Sequence, residues 1–438
     1  MAIINRYLIC FVFLSLLGPS FLFAEDADIT FLYTGDLHYF VKEEKDTPVF
    51  VSGGTLIDGT GAAPRDNPGI LIQEGDFREI GIASAPKGVK QLDATGKWIL
   101  PGLIDVHGHI TYHVPTGWNV EDDVMNAIRA ERFMELYQKI GVTTLADVGS
   151  RYKVGYSLKR AQRMGLLGGS RLYVSGPVLT APAGHATEFI PLEPPVYAVT
   201  ATGPWMFRQR VREAVNMGAD FIKVVPPYTP EELTAVVTEA DYWKIFVTAH
   251  IGGVPDLHLI SSRVAANAGV QSVQHLYPYG KDRKKVLRDM AKKNIYVVPT
   301  MGYHMRELQG KAHVKGNWTE IHLGHTYDNV MSLFKDMQKA GLKFAVGTDS
   351  NPNDMLKIDQ IYLEELQALS LGGLSAMQII QSATLHAAES IRRDEETGSI
   401  TAGKWADLII VSTNPLENLE TLVKPELVMQ QGKIVHQK

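Results

Sequence analysis

Short apolar runs alternate with helical patterns from about residue 100 to about residue 395. The runs are Leu103–Ile110, Val142–Gly149, Leu172–Leu179, Phe221–Val225, Ile245–Ile251, Ser272–Leu276, Ile295–Thr300 and Phe344–Ser350. Each is the length of a buried strand, and the stretches between them carry helical periodicity or helix-start signals. Thr229-Pro230-Glu231-Glu232 is one such start, with a Thr cap, proline in the first turn and glutamate three residues on. Eight strands joined by long connections predict an α/β chain, a (β/α)8 TIM barrel over residues 101–397. A doubly wound open sheet is the alternative, but no Gly-x-Gly-x-x-Gly loop follows any of the runs.

The flanks have a different rhythm. Residues 48–100 show short β patterns broken by Gly and Pro, at Val49–Ser52, Gly69–Glu74 and Trp98–Leu100. Residues 398–438 repeat that style at Asp407–Ser412, Leu427–Gln430 and Lys433–His436. Together they predict a small β-sandwich domain built from N- and C-terminal segments. Between the first flank and the N-terminus, residues 25–47 read as an extended arm. Its Ile29–His38 stretch resembles the opening strand of metallophosphoesterases, where Asp-x-His supplies metal ligands, but the later motifs of that family are missing.

The first 24 residues carry a basic residue, Arg6, an apolar run from Tyr7 to Phe23, and Ala24 before Glu25-Asp26. That is the layout of a cleaved signal peptide, with a retained membrane anchor as its rival. The expected location is secreted or periplasmic. The single cysteine, Cys10, lies inside this leader. The mature chain therefore has no disulfide, no thiol nucleophile and no Cys-ligated zinc. A net charge of -5 without a Lys/Arg stripe argues against a nucleic-acid partner.

The chemistry-bearing residues fall at the ends of the apolar runs, where barrel enzymes place their active sites. His107 and His109 stand two apart, so on a strand both imidazoles project from one face. Alone, such a pair is weak evidence. Lys223 interrupts the otherwise apolar Phe221-Ile222-Lys223-Val224-Val225. An unpaired ammonium there costs several kcal/mol or more, so three roles fit it: a salt-bridged structural lysine, a Schiff-base nucleophile, or a carbamate formed with carbon dioxide. His250 and His275 close consecutive runs, and Asp349 closes the last.

The order His-x-His, Lys, His, His, Asp over strands one, four, five, six and eight resembles the signature of the binuclear amidohydrolase superfamily. Leu100-Pro101-Gly102-Leu103-Ile104-Asp105, Gly141-Val142-Thr143-Thr144, Ser382-Ala383-Thr384 and Gly403-Lys404-Trp405-Ala406-Asp407-Leu408 are similar to phrases of the same family. The resemblance runs from about residue 48 to the C-terminus; residues 25–47 depart from it. It implies two divalent metal ions, with zinc the default for imidazole and carboxylate ligands. His107, His109 and Asp349 would hold one ion, His250 and His275 the other, and carboxylated Lys223 would bridge them. A hydroxide shared by both ions would attack the substrate, and Asp349 would carry its proton to the leaving group.

Within the superfamily the chain looks most like the prolidase/carboxypeptidase-like members, which cleave a dipeptide or an N-acyl amino acid at its terminal amide. His185 and Tyr228 lead as substrate-binding residues, with Arg151, His304, Tyr112 and His113 behind them. Pro226-Pro227-Tyr228-Thr229-Pro230 replaces the small, Gly-rich loop usual after the lysine. A lactonase or phosphotriesterase would use the same six ligands. A mononuclear deaminase or imidazolonepropionase-like enzyme acting on a cyclic C–N bond would lack the strand-four lysine. The partner expected is a small-molecule or dipeptide substrate, with no membrane contact after leader cleavage and with room for a homo-oligomer.

Overall fold

A computed structural model describes residues 29–33, 38–42, 47–111, 123–187, 197–252, 261–277, 280–309 and 326–438. The leader at 1–24, with Cys10, and the candidates Tyr112 and His113 lie outside them. Among the described residues no helix is long and apolar enough to cross a membrane.

Residues 1–45 and 46–438 form two compact units. In the first, Ile29–Tyr33 and His38–Lys42 pair antiparallel, so the stretch read as an extended arm contains a hairpin.

The second unit holds two layers of antiparallel-rich sheet and a parallel, barrel-type α/β body. In the first layer Leu408–Val411 lies between Trp98–Pro101 and Leu427–Gln430, antiparallel to both, with Lys433–Gln437 beyond. The second layer orders Asp76–Ile80, Ile70–Gln73, Val49–Ser52 and Lys90–Asp93. Alternation puts Val49, Val51, Ile70, Ile72, Ile99, Leu408, Ile410, Leu427 and Met429 into one shared apolar core.

In the parallel body, Leu103–Gly108, Val142–Asp147 and Arg171–Val174 form a three-stranded segment. A second segment orders Ala198–Thr200, Val178–Thr180, Phe221–Val224, Phe246–His250, Ser272–Gln274 and Tyr296–Val298, all parallel. Two expectations need correction. The third run breaks at Ser175-Gly176-Pro177, and its halves pair with different neighbours. Proline has no N–H to donate, so a ladder cannot pass through Pro177 unbroken. The last run, 344–350, is no regular strand: it touches its neighbours through single bridges, Val297 to Phe344 and Gly108 to Ser350. The described residues thus make two parallel segments joined by bridges, without one continuous hydrogen-bonded ring.

The helices cover the outside of these strands, and one start shows why. Thr229 Oγ1 accepts from Glu232 N at 3.2 Å, while Glu232 Oε2 accepts from Thr229 N at 2.9 Å, the reciprocal box that its sequence predicts for helix Pro230–Tyr242. Inside, Phe221 and Phe246 stack at 5.0 Å in a cluster with Ile104, Val106 and Tyr173. Two residues further along their strands come Lys223 and Thr248, with Ser272 and Gln274 on the neighbouring strand, all buried. An apolar floor lies under a polar layer.

Candidate metal centre

Local backbone irregularities bring the polar side chains together. The register of Leu103–Gly108 slips between Asp105 and Gly108. A slip of this kind redirects side chains. Here Asp105 bonds Tyr137 of helix Asp123–Lys139, while His107 reaches Gln274 on the sixth run. His275 follows Gln274 directly, and its φ of 75° lets two consecutive side chains join the same cluster. Asp349, at φ 54°, is also left-handed, a costly setting for a residue with a Cβ. Gly347 lies two residues before it, where a Cβ would come within 2.6 Å of the His107 Cβ. Only glycine fits there.

The resulting geometry is compact. Asp349 Oδ1 lies 3.4 Å from His107 Nε2 and 3.2 Å from His109 Nε2, and Oδ2 lies 4.0 Å from His275 Nδ1. One ligand atom from each of His107, His109 and Asp349 falls within 4.8 Å of the other two. The His107 ring centroid is 4.9 Å from that of His275, which is 4.2 Å from that of His250. His185 continues the row, 4.5 Å from His250, and His304 lies 5.8 Å from His275. Lys223 is 2 % exposed on the central strand beneath them.

Burial dominates the electrostatics. It holds the imidazolium forms of His107, His250 and His275 well below the ordinary range, with Lys223 adding repulsion to each. Burial also pulls the Lys223 ammonium down to about 7, against the opposing pull of Asp349. A large neutral-amine fraction follows at neutral pH. His107 Nε2, His250 Nε2 and Lys223 Nζ are buried without a hydrogen-bond partner. Buried polar atoms are rarely left this way, and three in one cluster fit a set of ligands for a divalent cation.

Sequence reasoning missed the residues that hold these side chains. Gln274 Oε1 lies 2.6 Å from His107 Nδ1, the Tyr197 hydroxyl 2.8 Å from His109 Nδ1, and Thr300 Oγ1 2.8 Å from His275 Nδ1. Asp105 accepts from Thr348 Oγ1 at 2.6 Å, Tyr137 at 3.0 Å and the His107 amide at 3.0 Å, tying the first run to the eighth. Asp105 closes the phrase Leu100-Pro101-Gly102-Leu103-Ile104-Asp105 without a role of its own there; Gln274, Tyr197 and Thr300 gain theirs only where the fold brings them near.

The substrate-binding candidates diverge. His185 is beside His250, its amide bonded to Pro226 O. Tyr228 is buried, and its hydroxyl donates to the carbonyl of His250 at 2.8 Å, so it braces that histidine. Arg151 turns to Asp123 at 2.6 Å. His304 is buried beside Tyr277.

The family profile described as "Amidohydrolase family" matches residues 98–435. The chain belongs to the amidohydrolase family. This amidohydrolase is 27% identical to an ochratoxinase of Aspergillus niger over 424 residues, covering 86% of this chain and 84% of that protein. It is 25% identical to an imidazolonepropionase of Mesorhizobium japonicum over 397 residues, 82% of this chain and 88% of that one. A crystal structure of a Xaa-Pro dipeptidase with methionine in its active site superposes with a TM-score of 0.75 at 26% identity, covering 90% of this chain and all of that one. The amidohydrolase is a hydrolase acting on C–N bonds, in a superfamily with prolidase-like members, and its strands are arranged as in a TIM-barrel-type fold.

Proposed function

We propose that the chain hydrolyses the terminal amide of a dipeptide or N-acyl amino acid, with two divalent metal ions, zinc by default, at the mouth of a (β/α)8 TIM barrel. The observation that carries this reading is Lys223: an amine on a central strand, buried, without a hydrogen bond, and pulled down to about 7. Neutral amine adds carbon dioxide, and the resulting carbamate offers two oxygens and a negative charge where the unpaired Nε2 atoms of His107 and His250 also lie. His107, His109 and Asp349 would hold one ion, His250 and His275 the other, and carboxylated Lys223 both. When bound, the ions supply Lewis acidity to the scissile carbonyl and acidify water.

The chain's own groups supply the rest. Asp349, its side chain 16% exposed, is the carboxylate placed to hold the proton from attacking water at an Oδ atom and return it to the leaving nitrogen. His185, its ring 4.5 Å from that of His250, is the partner for a substrate carboxylate, and Tyr228 keeps the His250 backbone in place. On this reading the enzyme is exported and acts on a small molecule or dipeptide, secreted or in a periplasm.

The test is metal content per chain after purification with zinc and bicarbonate, for the parent and Lys223→Ala, with a screen of dipeptides and N-acyl amino acids. Two ions in the parent and one or none in the variant, with amide cleavage by the parent alone, is the expected result. One ion in both would remove the bridging role and point to a single-ion ring hydrolase.

A further inference from the structure

His107 is the most enclosed of the four histidines in the row, and its two nitrogens have different surroundings. Nε2 faces Asp349 without a hydrogen bond. Nδ1 faces Gln274, whose side chain crosses the interior from the sixth run to the first. Gln274 is 1 % exposed and His107 is fully buried, so no solvent competes for this contact.

The Gln274 amide is held at both ends. Its Oε1 lies 2.6 Å from His107 Nδ1. Its Nε2 donates to Thr248 Oγ1 in a short contact and reaches Ser272 Oγ at 3.3 Å. Thr248 can accept that proton because its own has outlets, Ser272 Oγ at 2.8 Å and the Ser272 carbonyl at 3.4 Å. With the Gln274 amide in this orientation, the chain runs from imidazole N–H to amide oxygen and from amide N–H to the Thr248 hydroxyl, which can in turn donate to Ser272. A reversed amide would aim an N–H at Nδ1 and leave the imidazole proton on Nε2, toward the carboxylate.

We propose that Gln274 is a positioning residue that commits His107 to the Nδ1–H tautomer, so that the lone pair of Nε2 points at Asp349 and at the ion this pair would share. Thr248 and Ser272 act through Gln274 by fixing which end of its amide faces the imidazole. The neutral imidazole has only one donor and one acceptor, so choosing the partner of Nδ1 chooses the state of Nε2. The ion-binding half of this inference rests on the two-ion reading above; the tautomer half does not.

The experiment uses the full chain, stripped of metal with a chelator, and reads the imidazole 15N shifts of His107, assigned by its loss in His107→Gln. Zinc titrations are run alongside on the parent, Gln274→Met and Gln274→Glu. Methionine keeps the volume and removes both polar ends; glutamate keeps an acceptor facing Nδ1. Expected are a protonated Nδ1 and bare Nε2 in the parent, a mixed tautomer in Gln274→Met with zinc affinity weakened about 10- to 100-fold, and recovery of both in Gln274→Glu. A protonated Nε2 in the parent overturns the proposal, as does a Gln274→Met protein with unchanged tautomer and affinity. Equal losses in both variants would reduce Gln274 to packing and also overturn it. A parent with the expected tautomer that holds no zinc supports the assignment of Gln274 and sinks the two-ion reading instead.

Discussion

Two buried carboxyls away from solvent govern how single residues affect this protein. Glu365, on helix Ile358–Leu371, is fully buried and accepts from the Gly302 amide at 2.6 Å; burial pushes its carboxyl up to about 8 from an ordinary 4.5. The folded chain then keeps a proton that the unfolded chain releases above pH 4.5. Its contribution to stability is full below that pH and is lost as pH rises through about 8. Asp105 and Asp147, each pushed up to about 6 by burial, add to the decline below about pH 6, so urea unfolding of Glu365→Gln should lose chiefly the part of the decline that the parent shows between pH 6 and 8. A parent and variant with parallel pH profiles would contradict this. Asp105 acts also as the acceptor for four buried donors, the His107 and Thr348 amides and the Tyr137 and Thr348 hydroxyls. Asp105→Ala should cost on the order of 3 kcal/mol in the same assay. At this scale the sequence was partly legible. His107, His109, Lys223, His250, His275 and Asp349 stand out because polar groups within or at the ends of apolar runs are conspicuous, and the structure brings them to one place. Gln274, Thr300, Tyr197 and Asp105 do not stand out, because their significance lies in what they touch across the interior.

At the scale of elements, local signals and tertiary pairing had different visibility. Strands Phe221–Val224 and Phe246–His250 and the helix begun by Thr229 follow from apolar runs and capping chemistry that need no partner to be read. Thr229→Ala should lower stability by about 1 kcal/mol by thermal or urea unfolding, with little effect on metal content. Strand Ala198–Thr200 was not legible, since it exists only through pairing with Val178–Thr180. Nor was the irregular course of 344–350, which keeps backbone hydrogen bonds to Val297, Val106, His107 and His109 without a regular ladder, places Asp349 and leaves room at Gly347 for His107. Apolar pattern reports burial, and burial here comes without regular strand pairing.

For the molecule as a whole, the parallel body and the sheet layers share an apolar seam, where Leu100, Ile409, Val411 and Val428 pack with Leu103, Phe133 and Val142, and a buried ion pair crosses beside it. Asp407 accepts from Arg171 at 2.7 Å and 3.3 Å, from Thr397 at 3.1 Å and from the Gln431 amide at 2.8 Å, while Arg171 lies over the Trp405 ring. Asp407→Ala strands a buried guanidinium, and about 3–5 kcal/mol should be lost. Calorimetry should show the transition of the parent broaden or divide as the sheets part from the body. A single sharp transition at the parent temperature would show the pair to be dispensable. Leu408–Val411 has a further consequence. Its place between the strands Trp98–Pro101 and Leu427–Gln430 means that the earliest-made half of this sheet waits for the last-made half. During synthesis, the edge of Trp98–Pro101 that pairs with Leu408–Val411 stays open until that later strand has been made. A nascent chain stalled before Leu408 should be open to protease in that early segment, and release of the full chain should close it.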